Sequence, residues 1–258
     1  MQHSVAEDGD TAVVAVSYDP VEILAEFAGR HGITFPLLSD VGSRVIAELG
    51  MLNTSIAEDQ AAWGKPLDDR HRGLPFPGTV LLDGDGIVVG KVFERSHRVR
   101  PTGGLLLELM QGPLPPPETA ATLEAAGTAV AVWSDPNPLF PGQVGRIRVR
   151  LRTPVGSHVY VGSNPPAYTC VSVEVEPREG VNPLAPMLPV GERRRVNVLD
   201  EEWTVADGDV DVTVPLFLDR DVDTVETTVT VRFQVCTDHD CLPPVSVSTV
   251  VRLDGRGE

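Results

Sequence analysis

Two kinds of hydrophobic patterning divide the chain. Along residues 12–19, "AVVAVSYD", apolar and β-branched positions run almost without interruption, as a strand covered on both faces requires. Asp19 then offers an N-cap, Pro20 suits the first helical position, and Glu22 stands where a capping-box partner reaches back. Val21, Leu24, Phe27 and Ala28 form one apolar stripe, and Gly32 is placed to end that helix. "ITFPLL" at 33–38 predicts a second strand, and "VGSRVIAEL" at 41–49 a second helix closed by Gly50. The polar stretch at 53–73 keeps neither period and reads as an insertion or binding loop. "GTVLLDGDGIVVGKVF" at 78–93 sets two apolar runs on either side of an Asp-Gly turn, a strong hairpin signal, and "GGLLLELM" at 103–110 predicts a last helix.

Beyond "GPLPPPE" at 112–118 the pattern changes. "GRIRVRLRT" (145–153), "CVSVEVEP" (170–177), "DVDVTVPLFL" (209–218) and "TTVTVRFQV" (227–235) alternate with period two between Pro, Gly, Asn and Asp. Each such strand has one wet and one buried face, which predicts an antiparallel sandwich. The expected organisation is an α/β domain over 1–111, a Pro-rich linker over 112–122, and an all-β, immunoglobulin-like sandwich over 123–258.

Composition narrows the function. A net charge of −16 repels a phosphate backbone, and Arg193 to Arg195, read as a solvated turn, are too few to reverse that field, so nucleic acid is not an expected partner. The opening "MQHSVAEDGD" has neither a basic nor an apolar signal region, and no run approaches a membrane span. As written, the chain is expected to be cytoplasmic. No GxGxxG, P-loop, GxSxG or HExxH motif occurs, so no cofactor is expected and hydrolase readings have no support.

The chemistry concentrates in "FQVCTDHDCLPP" at 233–244, which holds two of the three cysteines. Folded as a hairpin, a Cys-x4-Cys segment can bring its Cα atoms to the about 5.5 Å that a disulfide needs. Thr237, Asp238 and Asp240 favour the turn, and Pro243 and Pro244 oppose continuation as a central strand. So short a loop gains only about 2 kcal/mol from cross-linking in the chain-entropy account, which favours an exchange couple over a static staple; inert thiols remain open. Cys236, His239 and Cys241 provide three donors where a structural zinc site wants four, so no metal is expected. His3, His31, His71, His97 and His158 are scattered and read as surface or core residues. Asp238 and Asp240 would raise the neighbouring thiol pKa values, whereas a protonated His239 would lower them. Cys170, Tyr160 and Tyr168 read as core, with the two tyrosines as candidates for shielding the hairpin.

Two resemblances extend this reading. On "VVAVSYD", "FAGRHGITFPLLSD" and "LPFPGTVLLDGDG", the first half resembles the redoxin branch of the thioredoxin superfamily, the alkyl hydroperoxide reductase C and thiol-specific antioxidant (AhpC/TSA) group. The resemblance makes Pro77 of "PFPGTV" a cis-proline candidate. It also implies a preceding strand and a Cys-bearing helix, yet this sequence has no cysteine before Cys170; peroxidase activity is therefore not expected, and an N-terminally incomplete domain is the expectation.

The second half, on "HVYVGSNPP" (158–166) and "VRFQVCTDHDCLPPVSV" (231–247), resembles the N-terminal sandwich domain of the thiol–disulfide interchange protein DsbD. It implies that Cys236 and Cys241 cycle between disulfide and dithiol, exchanging electrons with a thioredoxin-like or other thiol–disulfide protein. Because that family works in the periplasm, the resemblance sets an extracytoplasmic alternative against the cytoplasmic expectation. The rival readings are a non-catalytic binding module with a structural disulfide and the remnant of a peroxiredoxin-type enzyme.

Overall fold

In the computed structural model, residues 11–94, 101–112, 114–135, 139, 141–142, 144–162, 168–196 and 201–255 are described. The chain divides into two compact units, Met1–Gly112 and Pro113–Glu258.

In the first unit, β1 (Ala15–Ser17) and β2 (Leu37–Ser39) pair in parallel and are connected through α1 (Val21–His31). Gly32 ends α1 in the left-handed region at φ 61°, as its place in the sequence suggests. The start differs from expectation. Asp19 accepts the Ser17 hydroxyl at 2.6 Å, so its carboxylate is engaged locally, and extended Pro20 takes the cap position without a side-chain bond. At α2 (Arg44–Glu48) the anchor is Asp40, whose carboxylate accepts the N–H groups of Val45 (3.2 Å) and Ile46 (2.9 Å). Those bonds, Ile46's foremost, hold its pKa below the ordinary carboxylate value.

The 53–73 stretch is more ordered than its polarity suggests: it contains α3 (Ile56–Ala62) and a 3-10 turn, Asp69–His71. The expected hairpin is β3 (Gly78–Leu82) against β4 (Val88–Phe93). Its turn is tied by the Asp83 carboxylate, which accepts from Asp85 N (3.0 Å) and Ile87 N (2.9 Å). Thr102 caps α4 (Gly103–Gln111) by accepting from Leu105 N at 3.3 Å.

Pro77 corrects an expectation, because no peptide bond among the described residues is cis. The Phe76 N–H donates to Met51 O (2.7 Å) and Pro77 O accepts from Glu94 N (2.9 Å), so both flanks are satisfied in an extended strand entry. Without a constraint forcing the turn, the intrinsic trans preference of about 0.5–1 kcal/mol prevails.

The second unit is built of strands. Sheet one runs β10 (Val181–Pro183), β13 (Asp209–Leu218), β7 (Val144–Arg152), β6 (Thr128–Ser134), β5 (Ala121–Ala125). Sheet two runs β16 (Val245–Leu253), β14 (Val225–Phe233), β9 (Ser172–Val175). A further sheet runs β11 (Glu192–Val196), β12 (Glu201–Ala206), β8 (His158–Tyr160), β15 (Val235–Cys236). β5 begins inside the stretch read as linker, and Arg193 to Arg195 lie on a strand rather than in a turn. Their partners on β12 account for this: Arg193 faces Thr204, Arg194 faces Trp203 and Arg195 faces Glu202.

Alternation fills the interior. Val130, Val132, Ile147, Val149, Leu151, Val212, Leu216, Val229, Val231 and Phe233 are at most 1% exposed and pack in one core contributed by several sheets. The other positions of β7 carry Arg146, Arg148, Arg150 and Arg152. Arg146 donates to both carboxylate oxygens of buried Asp135 (2.9 and 3.0 Å), and Arg148 lies 3.5 Å from the same group. Arg150 pairs in a fork with its cross-strand neighbour Asp211 (2.7 and 2.8 Å), and Arg152 with Asp209 (2.8 and 3.2 Å).

Candidate functional site

The cysteine hairpin grows out of the sandwich one residue after β14 ends. β15 pairs antiparallel with β8, setting Val235 opposite Val159 and Cys236 opposite His158. Because side chains alternate across a strand, Val235 and Val159 enter the main core while Cys236, His158 and Tyr160 share the other face.

A turn at Thr237–Asp240 returns the chain. Thr237 N donates to Asp240 O at 2.8 Å, and the Thr237 hydroxyl oxygen accepts from His239 N (3.2 Å) and Asp240 N (3.1 Å). Leu242 N reaches Val235 O at 2.9 Å. Below the turn, buried Gln234 donates to Leu242 O (3.0 Å) and accepts from Thr169 N (2.9 Å), clamping the hairpin to the chain before Cys170. These bonds fix the hairpin independently of its sulfurs.

Cys236 and Cys241 form a disulfide with their Cα atoms 4.0 Å apart. The two sulfurs have different surroundings: Cys236 is 1% exposed, whereas Cys241 is exposed. Behind them Tyr160, Trp203, Val205 and Cys236 form a small buried cluster, against which Tyr168 and Cys170 pack. The Tyr168 and Trp203 rings meet edge to face at 4.0 Å, and Tyr160 lies 5.1 Å from Trp203. The Tyr160 hydroxyl stands 3.8 Å from the Cys241 sulfur; burial, then Tyr168 and Cys170, push its pKa up, so it stays a neutral donor. Tyr160 thus combines the two readings given to it, packing and shielding.

Of the residues read as modulators, Asp238, His239 and Asp240 are all exposed on the turn. His239 meets the turn through its backbone N–H. The histidine that the fold sets opposite buried Cys236 on the neighbouring strand is His158, 3% exposed and edge-on to Tyr160 at 5.5 Å. Burial is the first cause of its lowered pKa; Arg194 lowers it further, against Asp238 and Asp207. Sequence reasoning missed it because β8 and β15 are far apart along the chain. "HVYV" gave a partial signal, since period two puts His158 and Tyr160 on one face. Of the remaining histidines, His31 stacks near Phe27, His71 lies by Asp68, and His3 and His97 fall outside the described residues, as do positions 163–166 of the "HVYVGSNPP" segment.

Of the two disulfide cysteines, Cys241 is therefore the one open to solvent and Cys236 the one enclosed by the fold. No group of three or more His, Cys, Asp or Glu among the described residues is placed to hold a metal ion.

Comparison with known proteins agrees with both halves of this description. Residues 2–91 match the AhpC/TSA family, and residues 128–252 match the family of the thiol:disulfide interchange protein DsbD, N-terminal. The crystal structure of the Neisseria meningitidis DsbD N-terminal domain in the reduced form aligns with a TM-score of 0.33 at 17% identity, covering 56% of this chain and 91% of that one. The N-terminal periplasmic domain of ScsB from Proteus mirabilis aligns with a TM-score of 0.37 at 14% identity, covering 52% and 49%. No curated protein matched the chain. The two family matches point to thiol–disulfide redox involvement, and no helix among the described residues is long and apolar enough to cross a membrane.

Proposed function

For a chain that joins a redoxin-family segment to a DsbD N-terminal-type domain, we propose the role of a thiol–disulfide electron carrier working through Cys236 and Cys241. The observation that carries this reading is the asymmetry of the disulfide. Its outer sulfur, on Cys241, is open to a protein thiol, and its inner sulfur, on Cys236, is buried against an aromatic cluster. The partner is a thioredoxin-like or other thiol–disulfide protein, which attacks Cys241, forms a mixed disulfide and is released when Cys236 closes the pair again.

Two further features support exchange over a static staple. The turn is held by Thr237 and Gln234, so reduction leaves the hairpin in place for the return step. A bond closing so short a loop also adds little to stability, about 2 kcal/mol in the chain-entropy account. Asp238, His239 and Asp240 set the charge around the outer sulfur. The first unit brings no thiol, since no cysteine precedes Cys170, so the redox chemistry of this chain resides in the second. A disulfide couple of this kind fits an oxidising, extracytoplasmic compartment better than the cytoplasm expected from the opening residues.

Equilibration of the protein in graded glutathione buffers, with free thiols trapped and weighed, tests the reading. A reversible transition between about −150 and −270 mV supports exchange, whereas a bond resisting reduction below about −300 mV makes it a structural staple and leaves a binding module.

A further inference from the structure

His158 faces Cys236 across the β8–β15 ladder, on the side of the strands away from the main core. It is 3% exposed, and its Nε2 is buried without a hydrogen-bond partner. A buried polar atom left unpaired is costly, so its retention calls for a reason. In the disulfide state Cys236 has no S–H to offer. Reduction gives an S–H to Cys236, the cross-strand partner of His158, whose Nε2 lacks a hydrogen-bond partner.

We propose that His158 is the proton acceptor for the Cys236 thiol during exchange. The inference rests on the exchange reading above and assigns the step that completes it. The Cys236 thiol needs such help because burial disfavours its thiolate, which is the form that attacks a disulfide. Burial disfavours the charged imidazole, so near neutral pH His158 is neutral and has a ring nitrogen available to take the proton. The charges facing it are Arg194 from β11, itself paired with Asp207 at 2.9 Å, and Asp238 from the hairpin turn. The Tyr160 ring lies edge-on to it at 5.5 Å, and Cys236 is its cross-strand partner on β15.

With oxidised glutathione as oxidant the steps balance. The Cys241 thiolate attacks one glutathione sulfur, forming the Cys241–glutathione bond, breaking the glutathione disulfide and releasing one thiolate that takes a proton from water. The Cys236 S–H then passes its proton to His158 Nε2, and its sulfur attacks the Cys241 sulfur. The Cys236–Cys241 bond forms, the second glutathione leaves as thiolate, and the imidazolium returns its proton to solvent. The protein dithiol has lost two electrons and one glutathione disulfide has become two thiols.

The test follows both steps by acid quench and mass spectrometry in the wild-type chain and in His158→Gln. The variant should form the Cys241–glutathione adduct at the wild-type rate and resolve it about a hundredfold more slowly, the lower end of what positioned proton transfer contributes. It should also lose the rise in resolution with pH, below about pH 6.5, that the neutral imidazole gives the wild type. Equal resolution rates and pH profiles, with a wild type that cycles, overturn the role of His158 and leave the exchange reading intact. A wild type that forms no adduct overturns the exchange reading and this inference with it.

Should His158→Gln fail to fold, NMR of the His158 Cε1–H in the wild type decides. A titration coupled to Cys236 in the dithiol state and absent from the disulfide state supports the assignment; identical curves in both states overturn it.

Discussion

The two units spend their apolar residues differently. In the second, alternation sends Ile147, Val149, Leu151, Val212, Val214 and Val231 to at most 1% exposure. In the first, the apolar runs that predicted strands leave Val14, Val16, Leu38, Val88 and Val89 between 40% and 55% exposed, and the buried large apolar residues among those described are Leu24, Ile46, Met51, Leu81 and Leu106. Period-two strands need only one covering layer and find it within their own unit. Continuous runs need two, and in the first unit one side of those strands is open. Stability is therefore expected to reside mainly in the sandwich, where the redox hairpin is anchored.

The sharpest way to break that comparison is Asp135→Ala. Removing the carboxylate takes a buried counter-charge from Arg146 and Arg148, and the expected cost is about 3–5 kcal/mol in denaturant unfolding followed through buried Trp203. A loss below about 1 kcal/mol would show that water reaches these arginines and that the sandwich is looser than its packing implies.

Next comes a matched pair. Leu151→Ala, at 0% exposure, should cost about 2–5 kcal/mol, whereas Leu38→Ala, at 51%, should stay within about 0.5 kcal/mol. Comparable losses would mean that the exposed face of the first unit is covered in solution. Within that unit, Thr102→Ala removes the cap of α4 and should cost about 1 kcal/mol, read as a shift of the first unit's unfolding midpoint.

The smallest effect is pH-dependent. His158 has a folded pKa below its unfolded value of about 6.5, so between the two the unfolded chain binds the extra proton and stability falls as pH drops. That contribution is complete above about pH 6.5 and is lost progressively below it. It separates from the carboxylates held low by Arg152 and Arg252, Asp209 and Asp254, whose contribution is lost only near and below their ordinary value of 3.8. His158→Gln should flatten the decline that sets in below about pH 6.5, measured by thermal melts, and an unchanged slope would assign the proton elsewhere.

What the sequence made legible was local or periodic. Gly32, the Asp83–Gly86 turn, the strands around Ile147, Val212 and Val229, and the Cys-x4-Cys hairpin each carry their signal within a few residues. Which of the two sulfurs is enclosed was not legible, because it depends on β8 lying beside β15, a pairing that joins residues far apart. The same holds for Asp40, which ties α2 from outside the helix, and for Asp19, whose capping role was lost to a competing bond from Ser17. Pro77 was assigned its isomer by resemblance alone, and its flanking hydrogen bonds favour the ordinary one.

The arginine row on β7 has a consequence for how the sandwich finds its alignment. Shifting β7 by one residue would carry four guanidinium groups toward the apolar interior, turn Ile147, Val149 and Leu151 outward, and break the forks to Asp135, Asp209 and Asp211 together. Misaligned pairings are therefore penalised on both faces at once while the sheet assembles. The row works as a vernier: its fixed spacing of charges proofreads the register of the sheet in which β7 lies.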